Sequence, residues 1–145
     1  MLKLTILATL FSATLLSSCS SPEKATAMLS PDILNGTWTL VEYPELQSSL
    51  DALYPMKKPN ITFDVAGLKI NGSTGCNSFN GPFKISQATI DFSAPLGITR
   101  MMCPGEGEST FIRNLQKANG WTVRDNTLRL MAGDLVIMKL DKSTP

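Results

Sequence analysis

Three cysteines, at positions 19, 76 and 103, are the residues of this 145-residue chain best suited to covalent chemistry. Cys19 closes Leu16-Ser17-Ser18-Cys19, an aliphatic residue and two small ones before a thiol, where a secretory cleavage site belongs. Met1-Leu2-Lys3 supplies one positive charge ahead of it, and Leu4 to Leu16 is free of charge and proline. That run is long enough for a signal h-region and too short to span a bilayer. The segment reads as a lipobox: the Cys19 thiol is diacylated, the chain is cut before it, and the new N-terminus takes a further acyl group. The plainer alternative is an ordinary signal peptide in which Cys19 is incidental. One acyl chain binds a membrane marginally and two hold it durably, so lipid on Cys19 is the expected membrane link. Ser20, rather than Asp, follows the cysteine, which in lipoproteins of Gram-negative type favours the outer membrane. The expected location is the cell envelope, lipid-anchored and facing the periplasm.

Once Cys19 is acylated, Cys76 and Cys103 remain as an even pair in an oxidising compartment, where a disulfide is the usual outcome. The alternative is two buried thiols acting as small apolar side chains. Between them lie Asn77 and Arg100, a candidate polar surface spot, although Asn77 in a glycine-rich bend also suits bonding to its own loop. Gly72 and Gly75 are expected there for backbone angles that other residues resist. Met101-Met102 reads as strand packing, since a methionine metal site needs soft partners absent nearby. The chain contains no histidine, which removes the usual general base, most zinc sites and Ser-His-Asp triads. Gly105-Glu106-Gly107 opens like a phosphate loop, but Thr stands at 110 and no Walker lysine follows. Asp64 and Asp91 suit turn or edge solvation better than a catalytic pair, and Trp38, Tyr43, Tyr54 and Trp121 are too scattered for a sugar platform. No catalytic residue, cofactor or metal is therefore expected. Nucleic acid is disfavoured too, because without the signal and its Lys3 the chain carries 12 Lys+Arg against 12 Asp+Glu.

These residues need a scaffold. Four segments are expected: the signal over 1–18, lipidated Cys19 and a Ser/Pro/Ala-rich tether over 19–32, one domain over 33–140, and a tail over 141–145. Strand signals dominate the domain. Gly36–Tyr43 alternates with Trp38 and Leu40 on one face; Asn60–Asp64 and Leu68–Asn71 flank a turn at Val65-Ala66-Gly67. Phe79–Ile85 is broken by Gly81-Pro82, which suits a bulge or an edge. Ala88–Phe92 follows. Trp121–Arg124, Thr127–Met131 and Leu135–Leu140 read as a meander, with Leu128 and Leu130, then Val136, Met138 and Leu140, pointing inward. One helix is expected over Glu106–Ala118, with a stripe of Phe111, Ile112 and Leu115, and a left-handed stop at Asn119-Gly120. The fold class is β-rich α+β: a strongly curved antiparallel sheet or small cracked barrel of about eight strands, with one late helix covering the open side.

Gly36-Thr37-Trp38-Thr39-Leu40, Gly75-Cys76-Asn77-Ser78-Phe79-Asn80-Gly81 and Thr99-Arg100-Met101-Met102-Cys103 together resemble the META/HslJ domain family. The Glu-rich helix start at Glu106 and Glu108 and the C-terminal meander are similar to it as well; Phe83 stands where that family often has Tyr. The resemblance implies a small envelope lipoprotein with a cracked-barrel fold, some members being linked to heat-shock and antibiotic-resistance phenotypes, and no established enzymatic activity. The expected function is thus envelope maintenance or stress and drug tolerance, through binding a peptide, a lipid or an envelope protein in a pilotin-like or chaperone-like way. A groove beside Phe111, Ile112 and Leu115 is the candidate binding place, the alternative being that the helix simply completes a closed core with no cavity. The alternative is an inhibitor module against an envelope-attacking protease or lysozyme.

Overall fold

The structure is a computed structural model that describes residues 30–144; the expected signal, Cys19 and most of the tether lie outside them. The first described element starts two residues before the expected domain. Pro31–Leu34 form a short 3-10 turn capped by the Ser30 side chain. Leu34 is buried, and its carbonyl accepts the indole N–H of Trp38 at 2.7 Å. From there the strands are β1 (Gly36–Glu42), β2 (Asn60–Asp64), β3 (Lys69–Ser73), β4 (Ser78–Pro82), β5 (Lys84–Ile85), β6 (Ile90–Asp91), β7 (Gly97–Ile98), β8 (Gly120–Arg124), β9 (Thr127–Ala132) and β10 (Leu135–Lys142). Two helices, α1 (Leu50–Leu53) and α2 (Gly107–Lys117), interrupt them. β10 runs two residues into the expected tail.

Eight strands form one antiparallel sheet in the order β7-β4-β3-β2-β1-β10-β9-β8, and β5 and β6 make a separate hairpin. The architecture is the expected mostly antiparallel sheet with one main helix late in the chain. The sheet is open, with β7 and β8 as its edges. The hairpin leans on the β8 edge through a bridge between Thr89 and Gly120, and the Trp121 indole donates to the Ser86 carbonyl at 3.0 Å. α2 lies against the inner face, with Phe111 packed on Phe79 of β4 at 5.7 Å between ring centroids. Trp38, Leu40, Ile61, Phe63, Ile70 and Phe79 fill the core from one half of the sheet, and Leu128, Leu130, Met138 and Leu140 from the other. Period-two alternation along long strands produced this core directly, because each inward residue meets an inward partner on the next strand.

Local chemistry departs from the simple pattern in four places. The β2–β3 turn spans four residues, and its left-handed position is Leu68 (φ 51°) rather than Gly67. In β10 the register shifts between Val136 and Met138, so that Ile137 and Met138 are both buried while Val136 is only half-buried. Such a bulge sets two residues against one across the ladder and interrupts the alternation. The end of α2 has no left-handed stop: Ala118 turns to extended backbone (φ −65°, ψ 127°), and Gly120 already belongs to β8. Asn119 ends the helix otherwise, its N–H bonding the Met131 carbonyl at 2.8 Å and its Oδ1 accepting from Gly133 N at 2.9 Å. Finally, β7 pairs only with Phe79 and Asn80 of β4, which leaves Gly81-Pro82 unpaired on that side, as a proline without N–H allows.

Candidate functional site

The Gly72–Ser78 bend sits between β3 and β4, and two different constraints select its glycines. Gly75 has φ +97°, and a Cβ there would stand 2.6 Å from Tyr54 Cδ1. Gly72 has ordinary angles; a Cβ on it would strike the Asn60 carbonyl oxygen, so its reason is close approach of backbone and not the angle expected. The bend lets Cys76 reach Cys103, and the two are joined as a disulfide with Cα atoms 6.0 Å apart.

Asn77 next to it is buried and fully engaged. Its Oδ1 accepts from Met101 N (2.8 Å) and Thr99 Oγ1 (3.0 Å). Its Nδ2 donates toward Glu108 Oε2 (2.8 Å), Met101 O (3.2 Å) and Cys103 Sγ (3.1 Å). Thr74, also buried, accepts from Asn77 N at 3.0 Å and turns its hydroxyl toward Glu108 Oε2 (2.7 Å) and Asn77 O (3.1 Å). Glu108 lies in the first turn of α2, where the helix dipole favours a carboxylate. The arrangement is a clamp: one amide and one carboxylate tie the bend, the segment 99–103 and the start of α2 together. Sequence reasoning identified Asn77 and the cysteines but read Glu108 only as part of a Glu-rich helix start and gave Thr74 no role. The available signal was Thr74 three residues before Asn77, the spacing at which a hydroxyl bonds a loop's own backbone.

Arg100 shares with Asn77 the lining of an open depression of about 380 Å³, together with Leu96, Ile98, Met101 and Glu108. Arg100 is exposed at its rim, whereas Asn77 is 1 % exposed with its amide already bonded, so the two do not present a joint polar spot. Met101 and Met102 are not strand packing; they project from the clamped segment, 63 % and 99 % exposed. Phe111 and Leu115 are fully buried and Ile112 packs partly against the same core, so the expected groove beside them is filled by the helix itself. Tyr43 and Tyr54 meet despite their separation in sequence. Their hydroxyls are 2.7 Å apart, and Tyr54 donates to the Gly107 carbonyl at 2.8 Å, which leaves Tyr43 as the donor between them. Burial, the larger cause, and the Tyr54 hydrogen bond both push the Tyr43 hydroxyl far above the ordinary phenol range; burial also raises Tyr54. Asp64 bonds the Gly67 N–H of its turn, and Asp91 bonds Ser93 N and faces Lys84, roles that structure accounts for. Among the described residues no group of three or more acidic or cysteine side chains is placed to hold a metal, and no helix is long and apolar enough to cross a membrane.

The bend, the clamped segment and the strands around them coincide with a family pattern. The META domain model matches residues 31–143. The chain belongs to the META domain family. This META domain also shares its fold with two solved structures. One is the NMR structure of a protein from Burkholderia xenovorans, at 20% identity over 79% of this chain and 86% of that one, with a TM-score of 0.60. The other is the crystal structure of a DUF4847 family protein from Bacteroides vulgatus, at 18% identity over 77% of this chain and 95% of that one, with a TM-score of 0.53. No curated protein matches the chain.

Proposed function

We propose that this META domain protein is a non-enzymatic lipoprotein of the cell envelope, anchored through Cys19 at the periplasmic face of the outer membrane, which acts by binding an envelope protein through its clamped segment. The observation behind this reading is Met102. A nearly fully exposed methionine, with Met101 beside it, is held out on a segment fixed by the disulfide and by both ends of the Asn77 amide. Exposed apolar side chains on a rigid support mark interaction surfaces, and prior ordering lowers the entropy cost of association. A disulfide-held protruding loop also favours the second reading, an inhibitor inserted into a protease or lysozyme cleft. The polar groups that the family motifs bring together are consumed in holding this loop, which supports positioning rather than catalysis.

The test is a photo-crosslinking residue at Met102 in the full chain in cells. A crosslinked membrane-assembly component supports the binding module, and a hydrolase supports the inhibitor. An uncrosslinked protein at wild-type abundance overturns both. The anchor is tested separately: Cys19→Ser is expected to abolish incorporation of labelled palmitate, and retained label would refute the lipobox.

A further inference from the structure

A second cavity, on the other side of α2 from the clamp, has a different chemistry. It encloses about 200 Å³ between the end of α2 and the segment after β1. Arg113 and Lys117 line it from successive turns of the helix, where side chains four residues apart stand side by side. Neither takes part in an ion pair among the described residues, although Glu45 lies in the same wall. Arg113 spends one N–H on Thr110 Oγ1 at 3.2 Å, which leaves most of its donors free. Thr110 and Asn114 complete its polar side, and Tyr43, Leu46 and Ile137 supply an apolar side. Ile137 is there because of the β10 bulge, and bulges re-aim side chains next to sites.

From this juxtaposition we infer a binding site for a small amphiphilic anion, a carboxylate or phosphate on a short apolar stem, with the charge between Arg113 and Lys117 and the stem on Ile137 and Leu46. The volume decides the size class. Pockets for drug-sized ligands run from roughly 300 Å³ upward, so this one takes a terminal group and not a whole lipid or peptide. Two sources share that chemistry: the C-terminal carboxylate of a peptide ending in an aliphatic residue, and a phosphate of a phospholipid. The site lies apart from Met101 and Met102 and does not depend on the reading of that loop.

The experiment follows backbone amide shifts of the full chain carrying Cys19→Ala, titrated with butyrate, butyl phosphate and, as the uncharged control, 1-butanol. Ligands of so few atoms are expected to bind at about millimolar Kd. Shifts at Thr110, Arg113, Asn114 and Ile137 with both anions, weakened by salt and absent with butanol, support the site. Arg113→Gln with Lys117→Gln, both at exposed positions, is expected to weaken binding at least about tenfold while leaving the other amides in place. Glu45→Gln removes the opposing charge and is expected to tighten binding about threefold. Acetyl-leucine binding better than butyl phosphate assigns the peptide source, and the reverse order assigns the lipid. Equal shifts with butanol, no shifts, or shifts that survive the double variant overturn the proposal.

Discussion

At the scale of single residues, the amide of Asn77 holds more of the fold together than any charged group near it. Its oxygen fixes the Met101 N–H and its nitrogen reaches Glu108, so Asn77→Ala unpairs several part-buried groups at once. Unsatisfied buried groups cost about 1–3 kcal/mol each, and the loss is expected to be about 2–4 kcal/mol in denaturant unfolding. Asn77→Asp is expected to be no better despite its shape, because it removes the donor to Glu108; an Asp variant of wild-type stability would show that the amide nitrogen is dispensable. The tyrosine pair gives a pH dependence. Both hydroxyls are raised in the folded state, so the unfolded chain gives up these protons first, and unfolding gains free energy as pH rises past about 10. Stability is therefore retained below that pH and lost above it. Because Tyr43 and Tyr54 are the only tyrosines in the chain, the tyrosinate absorbance is expected to appear together with unfolding and not before it. Cys76, Cys103 and Asn77 were legible in the sequence because an even cysteine pair and a glycine-rich bend are local signals. Glu108 was not, since its partners lie 31 and 34 residues away and nothing local requires them.

Elements were legible in proportion to their length. Gly36–Glu42 and the three C-terminal strands contain enough alternation to define a face, whereas two-residue β7 and four-residue α1 are too short to show a period. The β10 bulge was hidden for a related reason: Leu135–Leu140 is almost wholly apolar, so composition does not reveal which residue is doubled. The β2–β3 turn leads to a stabilising substitution. Leu68 is half-exposed and holds φ 51°, a region unfavourable for a branched apolar side chain and easier for Asn. Leu68→Asn is expected to stabilise the domain by about 0.5–1 kcal/mol in thermal or denaturant unfolding, and a destabilised variant would mean that the exposed leucine packs more than it strains. The bend and the segment ahead of α2 are joined by the Cys76–Cys103 bond across 27 residues of sequence. In the chain-entropy model closing such a loop is worth about 3.5 kcal/mol. Cys76→Ser with Cys103→Ser is expected to lose about that much, and titration of the unfolded, unreduced chain bearing Cys19→Ala is expected to find no free thiol.

At the scale of the whole molecule, the centre of the sheet joins its first strand to its last. β1 pairs with β10, Trp38 standing opposite Lys142 and the Thr39 hydroxyl 2.8 Å from that of Ser143. Both strands carry fully buried residues, Trp38 and Leu40 on one and Met138 and Leu140 on the other. The order in which a chain emerges thus matters to this fold. Until residues near the C-terminus have been delivered, β1 has no partner on one of its sides, and the halves of the core have nothing to join them. Pairings of such long sequence separation form slowly, because the loop between them must close before any contact rewards it. A nascent chain of this kind completes its sheet only once its last strand has been made. The same pairing brings the residues just before β1 beside the end of β10, with the Lys142 ammonium on the Ile33 carbonyl at 3.2 Å. The first and last described segments therefore leave the sheet next to one another.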